Sequence, residues 1–174
     1  MRAEVAYGEL TQGGFLYVIG GRSSAFASAV LNNLERYDHV TNTWTTLAPM
    51  PTPRAVAAAA AVDDTIYVIG GRTNGFSVCG GGLAPGALSV VERYDMAADS
   101  WTTVAPLPTP RSDLTAIEHG GKVFVFGGCA GFPAAATNEV DMYDPQTNSW
   151  TVLPHMPTAR ATSLLESVAI ISTL

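Results

Sequence analysis

One unit is written three times along this chain, and that repetition constrains the fold more than any other feature. Glycine pairs at Gly20-Gly21, Gly70-Gly71 and Gly127-Gly128 each close an apolar run: Leu16-Tyr-Val-Ile, Ile66-Tyr-Val-Ile and Val123-Phe-Val-Phe. Tyr37-Asp38, Tyr94-Asp95 and Tyr143-Asp144 follow. Seven residues after each Tyr stands a tryptophan, at Trp44, Trp101 and Trp150, and ten residues later an arginine, at Arg54, Arg111 and Arg160. Only the stretch from the glycine pair to the Tyr changes length. Fixed spacing with one variable segment describes a rigid repeated unit carrying an adjustable loop.

The residue types explain the spacing. A four-residue apolar run bounded by glycines reads as a buried strand. The glycine pair lets the backbone take positive φ and leaves room for a large ring, for which the recurring Tyr and Trp are the candidates. Asp38 to Asn42, Asp95 to Asp99 and Asp144 to Asn148 begin with a turn-forming Asp and end on a residue that tolerates the left-handed region. They predict hairpins between a third and a fourth strand. Inner strands are expected after each arginine, over 55–62 and 112–117. Ala55-Val-Ala-Ala-Ala-Ala-Ala-Val62 has helical propensity. Its register between Arg54 and Gly70 nevertheless matches the repeat, and small side chains suit a crowded axis.

These residues resemble the kelch repeat: the double glycine, the Tyr-Asp, the Trp, and the connector seen here as Met50-Pro-Thr-Pro-Arg54, Leu107-Pro-Thr-Pro-Arg111 and Met156-Pro-Thr-Ala-Arg160. The resemblance implies an all-β chain, with four antiparallel strands per repeat forming a propeller blade. The repeats run approximately over 3–53, 54–110 and 111–159, with an incomplete one at 160–174. Three blades plus the start of a fourth form a partial or open propeller, since closed propellers have about four to eight. Either the chain is a fragment, or its tail has diverged, or two copies form a homodimer that completes a six-bladed ring.

Composition narrows the function classes. Of 174 residues 47% are hydrophobic and 14% charged, enough apolar content for a core. The formal net charge of −6 offers no basic field for a phosphate backbone, which argues against nucleic acid as a partner. No apolar run is long enough for a signal peptide or a membrane span, so a cytoplasmic protein is expected. Cys79 and Cys129 lie in glycine-rich loops, outside any Cys-x-x-Cys pair. Two unpaired thiols are the expectation, with a disulfide between neighbouring loops as the alternative.

Because strands alternate direction, the loops from strand two to strand three and the connectors between blades emerge on one face, the candidate surface for a protein or peptide partner. Arg22 and Arg72 follow their glycine pairs directly and are expected to project cationic donors there, with Asn74 two residues beyond. Phe76 and Phe132 stand in the same variable loops. In BTB-kelch adaptors, Arg and Asn in this part of the loop contact acidic peptides, and Arg72-Thr-Asn74 looks similar. Those adaptors also use the residue two places after the connector arginine, often another Arg. This chain has Val56, Asp113 and Thr162 there, a departure from the acidic-peptide pattern. Recurrence of Arg54, Arg111 and Arg160 indicates structural work, with Glu35, Glu92 and Asp141 as candidate partners, and the three tryptophans, at equivalent repeat positions, are expected in the core.

The enzymes of the family offer the contrasting expectation, a sugar mutarotase-like or oxidase-like activity. An oxidase site needs converging histidines and tyrosines. His39, His119 and His155 fall in different turns and connectors, so no metal or other cofactor is implied. No nucleophile elbow, His-Glu-x-x-His or phosphate-binding loop is present. A binding scaffold, not an enzyme, is the favoured reading.

Overall fold

A computed structural model of the chain describes residues 4–6, 11–12, 14–22, 30–73, 79, 86–130 and 135–161. Every regular element among them is a strand. The first sheet contains β1 (Glu4–Ala6), β2 (Thr11–Gln12), β3 (Phe15–Arg22), β4 (Leu34–Asp38) and β5 (Thr43–Leu47). The second contains β6 (Ala58–Val62), β7 (Thr65–Ile69), β8 (Val91–Asp95) and β9 (Ser100–Val104). In the third run β10 (Thr115–His119), β11 (Lys122–Phe126), β14 (Val140–Asp144) and β15 (Ser149–Leu153). A small hairpin of β12 (Cys129–Ala130) and β13 (Ala135–Ala136) interrupts that order in the chain. Each sheet is an antiparallel meander in which consecutive strands pair. In the first, β1 and β2 together replace a single inner strand.

Two apolar layers lie between these blades. Tyr17, Ile19 and Leu34 of the first meet Ala57, Ala59, Ile66 and Val68 of the second. On the other side of the second blade, Ala58, Ala60 and Tyr67 meet Leu114, Val123 and Val125 of the third. The polyalanine run is thus a strand whose successive side chains enter opposite cores, the period-two alternation of a strand buried on both faces. Neighbours on both sides leave room for methyl groups only.

The hairpins from the third to the fourth strand follow from their turn chemistry. Asp38 Oδ1 accepts the amides of Val40 and Thr41, and Asp95 Oδ1 those of Ala97 and Ala98. Asn42, Asp99 and Asn148 close the turns with φ of 55°, 47° and 50°.

The glycine pairs have a different reason from the one their sequence suggests. At Gly70, with φ 63°, a Cβ would strike the carbonyl oxygen of Arg111. At Gly127, with φ 57°, it would strike that of Arg160. The space is filled by backbone of the following connector, not by an aromatic ring. The second glycine of each pair fixes that connector, as Gly71 N–H donates to Arg111 O at 2.9 Å and Gly128 N–H to Arg160 O at 2.9 Å. The segment expected to begin a fourth inner strand lies outside the described residues.

Candidate functional site

Strand two of each blade leads through its glycine pair to Arg22, Arg72 or Cys129. There the backbone pairs with the start of the same blade's inner segment: Arg72 exchanges both hydrogen bonds with Ala55, and Cys129 does so with Ser112. Side chains at these positions are therefore delivered to the loop end of the inner strands.

Arg22 and Arg72 were expected to project from the loop face, and the structure corrects this. Arg22 is 6% exposed and Arg72 1%. The Arg72 Nε–H donates to Ser112 Oγ at 2.6 Å, and that hydroxyl donates in turn to Asp113 Oδ2 at 2.6 Å. Arg72 Nε also lies 3.7 Å from Asp113 Oδ2. Both terminal nitrogens of Arg72 are buried without a hydrogen-bond partner. Burial pushes the Asp113 carboxyl above its ordinary range, opposed by the Ser112 bond and by the charges of Arg72 and Arg22. Burial likewise lowers the Arg72 guanidinium from its usual value, opposed by Asp113. The Arg72 guanidinium thus lies beside the Asp113 carboxyl with both of its terminal nitrogens left as unused donors.

The backbone beside this cluster is held in unusual conformations. Val56 and Asp113, each two residues after a connector arginine, have φ of 50° and 55°, and Asp113 N–H donates to Val56 O at 2.9 Å. A β-branched residue there is strained, and such residues persist where surrounding structure imposes them. Sequence reasoning singled out position 113 only as a departure from the adaptor pattern, and it missed Ser112. Their register directly after Arg111 is the signal that would have found both. Asn74, Phe76 and Phe132 lie outside the described residues.

Cys79 and Cys129 form a disulfide, with Cα atoms 5.6 Å apart and 50 residues between them in sequence. This overturns the expectation of two free thiols. The loop of the second blade is thereby bound to the third blade where Cys129 holds the position taken by arginine in the others. Cys129 is fully buried, so its proximity to Cys79 rests on packing that no sequence spacing reveals.

The recurrent residues tie one blade to the next. Arg54, fully buried, ion-pairs with Glu92 and donates through Nη1 to Gly70 O at 3.0 Å and Val90 O at 2.9 Å. Arg111 pairs with Asp141 and donates to Gly127 O at 3.0 Å. Each arginine therefore locks the blade after its own connector. Burial lowers the Arg54 guanidinium from its usual value, against the opposing pull of Glu92. The aromatic residues reach the other way. Trp101 Nε1–H donates to Ala48 O at 2.8 Å while Asp99 Oδ1 accepts the Ala48 N–H at 2.9 Å. Trp150 and Asn148 hold Ala105 in the same way, at 2.9 Å and 2.9 Å. Tyr37, Tyr94 and Tyr143 lie against Trp44, Trp101 and Trp150, with ring centroids about 5 Å apart. The tryptophans were expected to be core. Trp101 and Trp150 are only half-buried and Trp44 is 58% exposed, because they cover blade edges.

His39 sits in a turn, its Nδ1 2.7 Å from Gly14 O, while His119 lies against Phe124 and His155 follows β15. Among the described residues no group of three His, Cys, Asp or Glu is placed to hold a metal ion. No helix there is long and apolar enough to cross a membrane.

Successive four-stranded antiparallel sheets, each locked to the next through its connector, are blades of a β-propeller. A search of solved structures supports that architecture: the chain matches one titled "Structure of YjhT" with a TM-score of 0.67 and 18% identity, over 92% of this chain and 53% of that one. The model of the KLHDC2/KLHL20/DRC7 Kelch-repeats domain matches residues 13–171, and the chain belongs to the kelch-repeat family. Kelch-like protein 25 of Homo sapiens is 36% identical over 117 residues, 65% of this chain and 19% of that protein. Beta-scruin of Limulus polyphemus is 38% identical over 88 residues, covering 50% of this chain and 8% of that protein. The chain thus spans less than a fifth of the length of these curated relatives.

Proposed function

We propose that this chain is a protein-interaction scaffold, and that the loop end of its blades receives a partner through an acidic or carboxylate group. The observation that carries the reading is the Arg72 guanidinium, buried beside Arg22 with both terminal nitrogens unused. Unsatisfied buried donors are costly, and a carboxylate meets them in pairs. The scaffold provides the matching contrast between its ends. Turns from the third to the fourth strand are alike in all three blades, whereas the connections from Arg22 to Leu34, Arg72 to Val91 and Cys129 to Val140 differ in length. Variation confined to one end of a rigid frame is the arrangement in which loops carry recognition.

The curated relatives include kelch-like proteins and a scruin, which favours this reading over a carbohydrate-acting enzyme. A displayed peptide library tests it. Enrichment of peptides bearing Asp, Glu or a free carboxyl terminus is expected, with loss of binding when the connections on the loop face are exchanged for those of an unrelated propeller. Equal enrichment of neutral sequences would remove the anion from the account. Retention of every binder after the exchange would remove the face.

A further inference from the structure

The buried arginines Arg54, Arg72 and Arg111 each have an acid beside them, and the acid of Arg72 is placed differently from the other two. Arg54 meets Glu92, and Arg111 meets Asp141, directly through a terminal guanidinium nitrogen. Arg72 meets Asp113 only along its Nε edge. Nε lies 3.7 Å from Asp113 Oδ2, and the Ser112 hydroxyl accepts from Nε at 2.6 Å while donating to Oδ2 at 2.6 Å. Both terminal nitrogens of Arg72 are buried with no hydrogen-bond partner among the described residues. The fold does not require an acid at position 113. Val56 is its counterpart in the second blade, with φ 50° against 55°, and the residue two places after the last connector arginine is Thr162. The backbone contact that fixes the position, from Asp113 N–H to Val56 O at 2.9 Å, uses no side-chain charge. Asp113 thus brings a negative charge to this site without completing the coordination of Arg72.

We infer that Asp113 is a specificity-determining residue of this site: it competes with an incoming anion for the Arg72 guanidinium, so that an anion settles on the two terminal nitrogens together with a proton on Asp113. The inference rests on the carboxylate-binding reading above and adds its regulation. With Asp113 ionised, the two side chains form a neutral pair, and a further anion meets one attraction and one repulsion at short range. With Asp113 neutral, the guanidinium charge is left to the anion, and the proton comes from solvent. The carboxyl keeps its place in either state, because Oδ2 accepts from Ser112 while Oδ1 is where the proton resides. The charged groups whose fields reach Asp113 are Arg72 from the second blade and Arg22 from the first, and no histidine is among them. Burial, which holds this carboxyl above its ordinary range, brings its protonation toward milder acidity. An anion that prefers the protonated form binds weakly above the folded pKa of Asp113, tightens as pH falls through it, and levels off below.

Inorganic sulfate, whose own charge stays fixed over the interval, is the probe, titrated calorimetrically into the whole chain between about pH 7.5 and about pH 4.5. Its affinity for the wild type should rise about tenfold or more as pH falls, with proton uptake seen as a heat that changes with the buffer. Asp113→Asn tolerates positive φ and still accepts from Ser112. It should bind at neutral pH as tightly as the wild type does in acid, with no pH dependence left. Asp113→Val, which copies Val56, should behave alike, and circular dichroism checks that both variants keep the fold. Arg72→Met should bind sulfate at no pH. Arg72-dependent binding with a flat pH profile in the wild type, or with the same profile in the wild type and both Asp113 variants, would overturn the inference and leave the carboxylate-binding reading standing. Absence of Arg72-dependent binding from all three proteins at every pH would overturn both.

Discussion

The indole Nε1–H of Trp101 donates to the backbone carbonyl of Ala48 at 2.8 Å, so a side chain of one blade closes a hydrogen bond on the connector of the blade before it. The same bond runs from Trp150 to Ala105. Tryptophan here clamps a seam from its rim instead of filling a core, which sets the scale of its contribution.

Trp101→Ala removes that bond, the ring contact with Tyr94 and a half-buried face. A cost of about 2–4 kcal/mol is expected, toward the lower part of the range for large aromatic truncations. Trp44→Ala, at a 58% exposed position, should cost below about 1 kcal/mol under conditions where the chain is monomeric. Urea unfolding of both variants measures the difference, and equal losses would show that the seam bonds contribute nothing.

The Arg54–Glu92 pair is buried on both sides. Arg54→Met strands a carboxylate at a 1% exposed position and should destabilise by about 3–5 kcal/mol. Arg54→Met with Glu92→Leu should recover most of that loss, since the stranded charge is gone. Arg160→Met in the monomer should stay within about 0.5 kcal/mol, as expected for an exposed site. Denaturation midpoints of the four proteins decide the matter.

Asp99 gives a test by pH. Its carboxyl is held below the ordinary range by the bond from Tyr94 and then by the Ala48 amide. A carboxyl depressed in the folded state adds stability above its unfolded value, near about 4, and that stability is lost as pH falls through the folded value. Asp99→Asn copies Asn148, which makes the same two bonds in the third blade without a charge. Stability near neutrality should change little, while acid unfolding between about pH 4 and 2 becomes less steep. Melting temperatures across that interval measure it, and an unchanged acid slope would show that Asp99 carries no such linkage.

The disulfide predicts a chemical result. No thiol should react with iodoacetamide in the unreduced, denatured chain, and two should react after dithiothreitol. Cys129→Ser opens a link across 50 residues and should cost about 2–4 kcal/mol. Two reactive thiols without reductant would mean that the bond does not form, as a reducing cytoplasm would ensure.

The blade plan was legible because its determinants are local: strand length, turn residues and glycine spacing lie within a few positions of each other. Polyalanine over 58–61 was readable as strand from register alone. The seams were less legible. Gly70 answers to the carbonyl of Arg111 and Trp101 to that of Ala48, relations across a repeat boundary that a template aligned within repeats does not display. The candidate site was harder still. Arg72 looked like a surface donor because it follows a loop-forming glycine pair, yet pairing with Ala55 carries it inward to Ser112 and Asp113.

Each seam uses nearly the same partners, and this bears on how such an array knows its own order. Arg54 meets Glu92 as Arg111 meets Asp141, and Ala48 is held as Ala105 is. Chemistry of this kind does not tell one neighbour from another, so the sequence of blades around the axis is enforced by the covalent thread and not by mutual recognition. Among the described residues Cys129 marks an individual seam, because it bonds to one particular loop. An array built this way can gain or lose a blade by recombination without inventing a new joint, and a covalent link such as that of Cys129 is what gives one joint an identity of its own.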